Sequence, residues 1–368
     1  MGAGTRRVWA LIAAVAVVLG GAGIAGCGSS GGGGDSEKGG TIALLLPETK
    51  TTRYEEQDRP NFEKRVKELC KNCKVIYSNA DQDPAKQQQQ AEAAITKGAK
   101  VIVISAVDVA SADAIVKRAK QQNVKVIAYG RLIPHANIDD YVSIDPYKVG
   151  QQQARSQMKA LTAQGKKNPR IVMINGAPTD SNAKPYKDGA ASIFKQQGAK
   201  IVKSYDTADW SPDKAQQEME QSITTLGKSG FEGVYVANDG MASGAIAALE
   251  GAGIDPSTRL VTGQDAELAG VQRILAGKQL MTVYQPIIKI ARTSAELAVP
   301  IAQGKKPPAN LTPDKVNNGT KEVPSALLDT TEITKDNIDD TVVKDGFLKA
   351  QDICTGAYAS ACKAAGIV

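Results

Sequence analysis

Residues 101–129 read VIVISAVDVASADAIVKRAKQQNVKVIAY. Val101–Ser105 and Val124–Tyr129 are short apolar runs rich in β-branched residues, and each predicts a strand. Ser111–Gln122 lies between them with helical spacing. Strand, helix, strand is the unit of a parallel sheet covered by helices. The alternation extends in both directions. Further strands are expected at Ile42–Leu46, Lys74–Tyr77, Tyr141–Ile144, Arg170–Ile174, Ile201–Tyr205, Gly233–Ala237, Leu260–Gly263 and Met281–Tyr284. Helices are expected at Tyr54–Leu69, Ala85–Lys97, Tyr147–Gln164, Ala183–Gln197, Asp213–Gly227 and Ala242–Leu249. The fold class is α/β. One sheet of ten strands would be large for this length, so two sheets of about five are expected. Ser143-Ile144-Asp145-Pro146 and Pro286 mark seams. After about Leu311 the chain reads as strand-poor Pro/Asn/Gly segments. Such a chain crosses between two lobes more than once.

The amino-terminal residues bear on the compartment. Arg6 and Arg7, the apolar run Val8–Leu19 and a small-residue end at Gly26 have the three-part form of a secretory signal. The stretch is too short and too rich in Gly and Ala for a spanning helix. Ile24-Ala25-Gly26-Cys27 resembles the bacterial lipobox, in which Cys27 becomes the first mature residue and carries a lipid. That lipid would hold the protein at the outer face of the cytoplasmic membrane without crossing it. Gly21-Ala22-Gly23-Ile24-Ala25-Gly26 matches G-x-G-x-x-G, but it lies in the segment to be removed and is no dinucleotide site. Gly28–Gly40 is nearly all Gly, Ser and charge and reads as a tether.

The formal charge of the 368 residues is +6, and loss of Arg6 and Arg7 would leave about +4. Lys and acidic residues are interspersed in the body, which gives no support to nucleic-acid binding. Beyond Cys27 four cysteines remain, Cys70, Cys73, Cys354 and Cys362. An even count in an exported chain favours disulfides, the simplest pairs being Cys70–Cys73 and Cys354–Cys362. Zinc is the rival reading, weakened by the presence of a single histidine, His135. One disulfide is expected to pin the carboxyl-terminal tail to the body. No metal and no cofactor is expected.

In open α/β sheets, ligands bind beyond the carboxyl ends of the strands. The residues there are Thr52, Arg53 and Tyr54; Gly130 and Arg131; Asp180, Ser181 and Asn182; Asp209 and Trp210; Asn238 and Asp239; Gln264 and Asp265; and Gln285. Arg, Asp, Asn and Gln can clamp neighbouring hydroxyls, and an aromatic ring can carry the C–H face of a sugar. Each has a plainer reading. Asp180, Ser181 and Asp239 also suit helix N-caps, Trp210 the cover of a helix start, and Arg53 and Arg131 surface ion pairs.

Several stretches resemble the type I periplasmic binding proteins, and among them the D-xylose-binding proteins of ABC transporters. They are Ala128-Tyr129-Gly130-Arg131-Leu132-Ile133, Thr179-Asp180-Ser181-Asn182-Ala183-Lys184, Ala237-Asn238-Asp239-Gly240, Gly263-Gln264-Asp265-Ala266-Glu267-Leu268-Ala269-Gly270 and Met281-Thr282-Val283-Tyr284-Gln285-Pro286, with Asn317-Asn318-Gly319 and Val343-Lys344-Asp345-Gly346-Phe347 further on. The resemblance implies two Rossmann-like lobes joined by a three-stranded hinge and closing on a sugar. Arg53, Arg131, Asn182, Asn238 and Asp265 would bond hydroxyls, with Gln285 beside them; Tyr54 and Trp210 would supply stacking faces. Tyr54 stands where the xylose binders usually have Trp. Gly130 replaces a usual Asp and Gln285 a usual Lys, which leaves the pocket's charge balanced but bears on the choice of sugar.

The implied layout is a signal at 1–26, a tether at 27–40, an N-terminal lobe of 41–145 plus 286–320, a C-terminal lobe of 146–285 plus 321–347, and a tail at 348–368. The implied role is non-enzymatic: a monomer that captures a monosaccharide, xylose first, and delivers it to an ABC permease, touching the membrane only through its lipid. The alternatives are another pentose, a hexose or a polyol, taken for sensing, and a sugar-acting enzyme using Asp239 and Asp265.

Overall fold

The structure is a computed structural model that describes residues 39–367. The signal, Cys27 and all but the last two residues of the tether lie outside the described residues. In chain order the strands are β1 (Thr41–Leu46), β2 (Lys74–Asn79), β3 (Val101–Ile104), β4 (Lys125–Tyr129), β5 (Asp140–Ile144), β6 (Arg170–Asn175), β7 (Lys200–Asp206), β8 (Gly233–Val236), β9 (Thr282–Tyr284), β10 (Asp314–Asn317), β11 (Glu322–Leu328) and β12 (Thr331–Ile333). The helices are α1 (Arg59–Leu69), α2 (Pro84–Thr96), α3 (Asp113–Gln121), α4 (Pro146–Ala163), α5 (Ala183–Gln196), α6 (Pro212–Leu226), α7 (Asp239–Gly251), α8 (Leu268–Leu275), α9 (Ile287–Ala302), α10 (Ala350–Ile353) and α11 (Ala359–Ala364).

The first lobe is built on a seven-stranded sheet ordered β10-β11-β5-β4-β3-β1-β2. Its central strands are buried on both faces. Ile42, Leu44 and Leu46 of β1 join one core cluster, while Ala43 and Leu45 join the other with Ile115, Val116 and Ala119 of α3. That two-sided burial is why these strands read as unbroken apolar runs. The second lobe carries the parallel sheet β7-β6-β8 and the antiparallel pair β12-β9. Helices start where the sequence places caps. Asp83, Asp145 and Ser211 each accept backbone N–H groups of the next turn, and each is followed by proline at the first helical position. The chain passes between lobes three times, after β5, after β9 and after β11. The fold is therefore two α/β lobes joined by a three-stranded hinge.

Several expectations are corrected. The sheets hold seven strands and three plus two, not about five each. The region after Leu311 is not strand-poor, because it supplies β10, β11 and β12. Pro324 and the Asn317-Asn318-Gly319 turn read as breakers, yet Ser325–Leu328 pair in register with Tyr141–Ile144. The strands therefore place residues 322–328 with the first lobe's sheet, so the third crossing falls after Leu328 rather than at 321. Leu260–Gly263 is not a strand. It lies between β8 and β9, but the Thr262 hydroxyl takes the Val236 N–H at 2.9 Å, and Gln157 and Gln153 of α4 donate to the Leu260 and Gly263 carbonyls at 2.7 and 2.9 Å. Backbone bonds to both sides remain, the Thr262 N–H to the Val234 carbonyl at 3.2 Å and the Leu280 N–H to the Val261 carbonyl at 2.8 Å, but side chains take part of the ladder and the sheet divides. The helices α8 and α9 had no counterpart in the expected list.

The four cysteines of the described residues form Cys70–Cys73 and Cys354–Cys362. The second bridge closes the tail on itself, so no disulfide pins the tail to the body. Packing does that instead: Ile353, Cys362 and Ile367 are buried in the main core, and Gln272 of α8 donates to the Asp352 and Ile353 carbonyls at 3.2 Å. Among the described residues no helix is long and apolar enough to cross a membrane, and no cluster of His, Cys, Asp or Glu is placed to hold a metal ion.

Candidate ligand-binding site

The strand ends of the two lobes face each other across a small cavity. It is lined by all eight residues that the resemblance assigns to the ligand: Arg53, Tyr54 and Arg131 from the first lobe, Asn182, Trp210, Asn238 and Asp265 from the second, and Gln285 at the second crossing; of the other strand-end residues, Thr52, Ser181, Asp209 and Asp239 lie outside it. Thr51, Gly130, Asp180, Tyr186 and Gln264 complete the wall.

Arg53 follows β1 and is held from behind. Its Nε and Nη2 donate to Asp58 at 2.9 and 2.8 Å, and the Tyr129 hydroxyl donates to the same carboxylate. Burial alone would weaken the Arg53 charge, but Asp58 outweighs it and raises the guanidinium pKa well above its usual value. On the cavity side Arg53 Nη1 donates to Gln285 Oε1 at 3.1 Å and stands 3.7 Å from Asp265. Gln285 Nε2 donates to Asp265 Oδ1 at 2.9 Å. Both ends of the Gln285 amide are therefore engaged within the protein, tying an arginine of one lobe to a carboxylate of the other. The Asp265 carboxyl is raised by burial and partly restored by Arg53.

Arg131, after β4, repeats the arrangement. Its Nη1 donates to the Ala106 carbonyl at 2.7 Å, and its Nε lies 2.8 Å from Asp180 of the second lobe. Asn182 Nδ2 donates across the cleft to the Gly130 carbonyl at 2.8 Å, and the Thr52 N–H donates to Glu267 at 3.3 Å. The lobes are closed on one another. Gly130 has φ +71°, and a side chain there would begin in open space, 3.9 Å from Ser105 Oγ.

The aromatic residues are deeply set. Trp210 is 6% exposed and has φ +52°, a left-handed backbone that a bulky residue rarely adopts. Its ring lies over the backbone of Gly176, where a Cβ would approach Trp210 Cη2 to 2.1 Å. Tyr54 carries the Arg53 guanidinium 5.2 Å from its ring centre.

The plainer readings divide. Asp180 is not a helix cap: it accepts the Asn182 N–H at 2.8 Å in the turn before α5 and pairs with Arg131. Asn238 caps α7 through the Met241 N–H at 2.9 Å while lining the cavity. Asp239 lies outside the cavity wall. Its carboxylate accepts from Gln279 at 2.7 Å, Thr282 at 2.9 Å and the Glu267 N–H at 3.0 Å. It braces the loop that carries Asp265 and does not face Asp265 across a substrate, as an acid–base pair would. Tyr186 had no signal as a strand-end residue. It stands one helical turn after Asn182, on the same face of α5, and that spacing could have found it.

A family model described as periplasmic binding protein domain matches residues 42–306. The chain is 37% identical over 316 residues to the D-xylose-binding periplasmic protein of Escherichia coli (strain K12), covering 85% of this chain and 92% of that one. It is 36% identical over 316 residues to the D-xylose-binding periplasmic protein of Haemophilus influenzae, covering 85% and 91%. An ABC transporter solute binding protein from Clostridium phytofermentans, solved with bound β-D-glucose, superposes with a TM-score of 0.76 at 27% identity, covering 85% of this chain and 99% of that one. The chain belongs to the type I periplasmic binding protein family. It is an extracytoplasmic binding protein closely related to the D-xylose-binding members.

Proposed function

We propose that this chain, held outside the cytoplasmic membrane by a lipid on Cys27, captures one monosaccharide between its lobes and delivers it to an ABC permease, with D-xylose the leading ligand. The observation that carries the reading is the charge-matched cavity wall. Each arginine faces a carboxylate of the opposite lobe, Arg53 with Asp265 and Arg131 with Asp180. Such a wall offers donors and acceptors in quantity but no unmatched charge, which suits an uncharged polyhydroxylated ring and disfavours sugar acids and sugar phosphates. Arg53, Arg131, Asn182, Asn238 and Asp265 are assigned to sugar hydroxyls, and Tyr54 and Trp210 to its apolar face. Gln285 acts mainly by positioning Arg53 and Asp265. The role is binding without turnover.

A hexose is the second reading. It is favoured by Gly130, which puts no side chain into the cavity at that point, and by the glucose in the similar solved structure. The test is calorimetric titration of unfolded and refolded protein with xylose, arabinose, ribose, glucose and galactose. Tight binding of xylose, with glucose weaker, is expected. The reverse order selects the hexose reading, and absence of heat with all five rejects capture of these sugars.

A further inference from the structure

On the second-lobe wall, two polar atoms are not used up by the closed protein in the way that those of Arg53, Gln285 and Asp180 are, and a tyrosine stands beside them. Gln264 is 3% exposed, and its side-chain Oε1 is buried without a hydrogen-bond partner. Trp210 Nε1 is likewise buried without a partner. Tyr186, 3% exposed, meets Trp210 edge to face, with ring centres 6.4 Å apart and planes at 77°. The Gln264 amide lies beside Tyr186 and Asp265: burial raises the pKa of both groups, and the amide opposes that rise. All three residues line the cavity.

The three are rigidly mounted. Tyr186 rides on α5, whose backbone is pressed against α4: a Cβ on Gly150 would come within 2.0 Å of the Tyr186 carbonyl oxygen. Trp210 is seated over Gly176. Gln264 lies in the loop fixed by the Asp239 N–H, which donates to its carbonyl at 2.9 Å. A buried acceptor and a buried donor left unpaired on one rigid wall are costly unless something in the cavity completes them. A hydroxyl group is donor and acceptor at once and can satisfy both kinds of atom.

We propose that Gln264, together with Tyr186 and Trp210 Nε1, forms a hydroxyl-reading subsite that helps decide which monosaccharide is held. The inference rests on the sugar-binding reading above. It assigns Trp210 a polar role through its N–H as well as a stacking face, and makes Gln264 and Tyr186 specificity-determining residues.

The test uses two near-isosteric variants, Gln264→Met and Tyr186→Phe, titrated with the tightest-binding sugar and its monodeoxy derivatives. Melting without sugar serves as the control for folding. On the wild type, removing the hydroxyl that is read should weaken binding about tenfold or more, since the site's polar atoms are then left unpaired. Gln264→Met should weaken the parent sugar to a similar degree, yet bind that one deoxy sugar nearly as the wild type does. Tyr186→Phe should move the same ratio in the same direction by a smaller factor. Wild-type binding with unchanged sugar ratios in both variants overturns the subsite and leaves the sugar-binding reading standing. Uniform loss across all sugars also overturns it, since that marks a structural role. Absence of wild-type binding to any sugar removes both.

Discussion

The two walls of the cleft are built differently. The first-lobe wall hangs from an uninterrupted seven-stranded sheet, and its arginines are set by carboxylate and carbonyl partners behind them: Asp58 for Arg53, Ala106 for Arg131. The second-lobe wall hangs from a sheet that divides at Thr262, and two of its residues, Trp210 at φ +52° and Asp265 at +90°, sit on left-handed backbone, each beside a second such residue, Asp209 at +61° and Ala266 at +50°. Such conformations cost about 1–3 kcal/mol each and persist only where the surroundings enforce them. The first wall thus supplies charge in a fixed place, while the second supplies shape at the expense of backbone strain. Small changes in the second wall should therefore disturb binding more than their size suggests.

The largest effect should come from Asp265→Ala. It removes the carboxylate shared by Arg53 and Gln285 and leaves both short of a partner across the lobes. Loss of one member of a buried charge pair costs about 2–5 kcal/mol, so sugar affinity should fall about 100-fold in titration calorimetry. Unchanged affinity would remove Asp265 from the site. A smaller effect is expected from Gly176→Ala. The new methyl would meet the Trp210 ring at 2.1 Å, and displacing that ring should weaken binding about tenfold, with a stability loss of about 1–3 kcal/mol. If sugar affinity survives while stability drops, Trp210 is packing only.

The smallest effect concerns the brace beneath the second wall. Burial raises the Asp239 carboxyl from 3.8 to about 7. The folded protein therefore keeps this proton at pH values where the unfolded chain has released it. Its contribution to stability is fullest below about pH 4 and is lost as pH rises towards 7. Asp239→Asn should flatten that decline, so the difference in melting temperature between wild type and variant should shrink or change sign from pH 4 to 7. A constant difference would place the Asp239 proton elsewhere.

Much of the first lobe was legible because its strands are buried on both faces and its helices start at Asp-Pro or similar caps, as at Asp83 and Pro84. The strand-end rule then led to Arg53, Arg131 and Asp265, since polar residues directly after apolar runs are visible in the sequence. Other parts were hidden for physical reasons. Residues 260–263 have a strand's composition and keep some backbone bonds to both sides, but the Thr262 hydroxyl and two glutamines of α4 take others and break the regular ladder. Ile287–Ala302 keeps a helical spacing of buried residues, Ile287, Ile290, Ala291, Ser294 and Ala298, but is bracketed by Pro286 and Pro300, which read as breaks. Tyr186 reaches the cavity from inside a helix rather than from a strand end, and Gln264 stands beside the more conspicuous Asp265. Which amide is spent within the protein, as in Gln285, and which is left for the cavity, as in Gln264, depends on contacts between distant segments.

Capture by closure is tested most directly by small-angle X-ray scattering on the refolded, sugar-free protein before and after saturation with the sugar that binds tightest in calorimetry. Sugar should draw an ensemble containing open forms into the closed arrangement, with Arg53 facing Asp265 and Arg131 facing Asp180, and the radius of gyration should fall. A radius that stays unchanged, or grows, while the sugar is shown to be bound would contradict ligand-favoured closure of the two lobes.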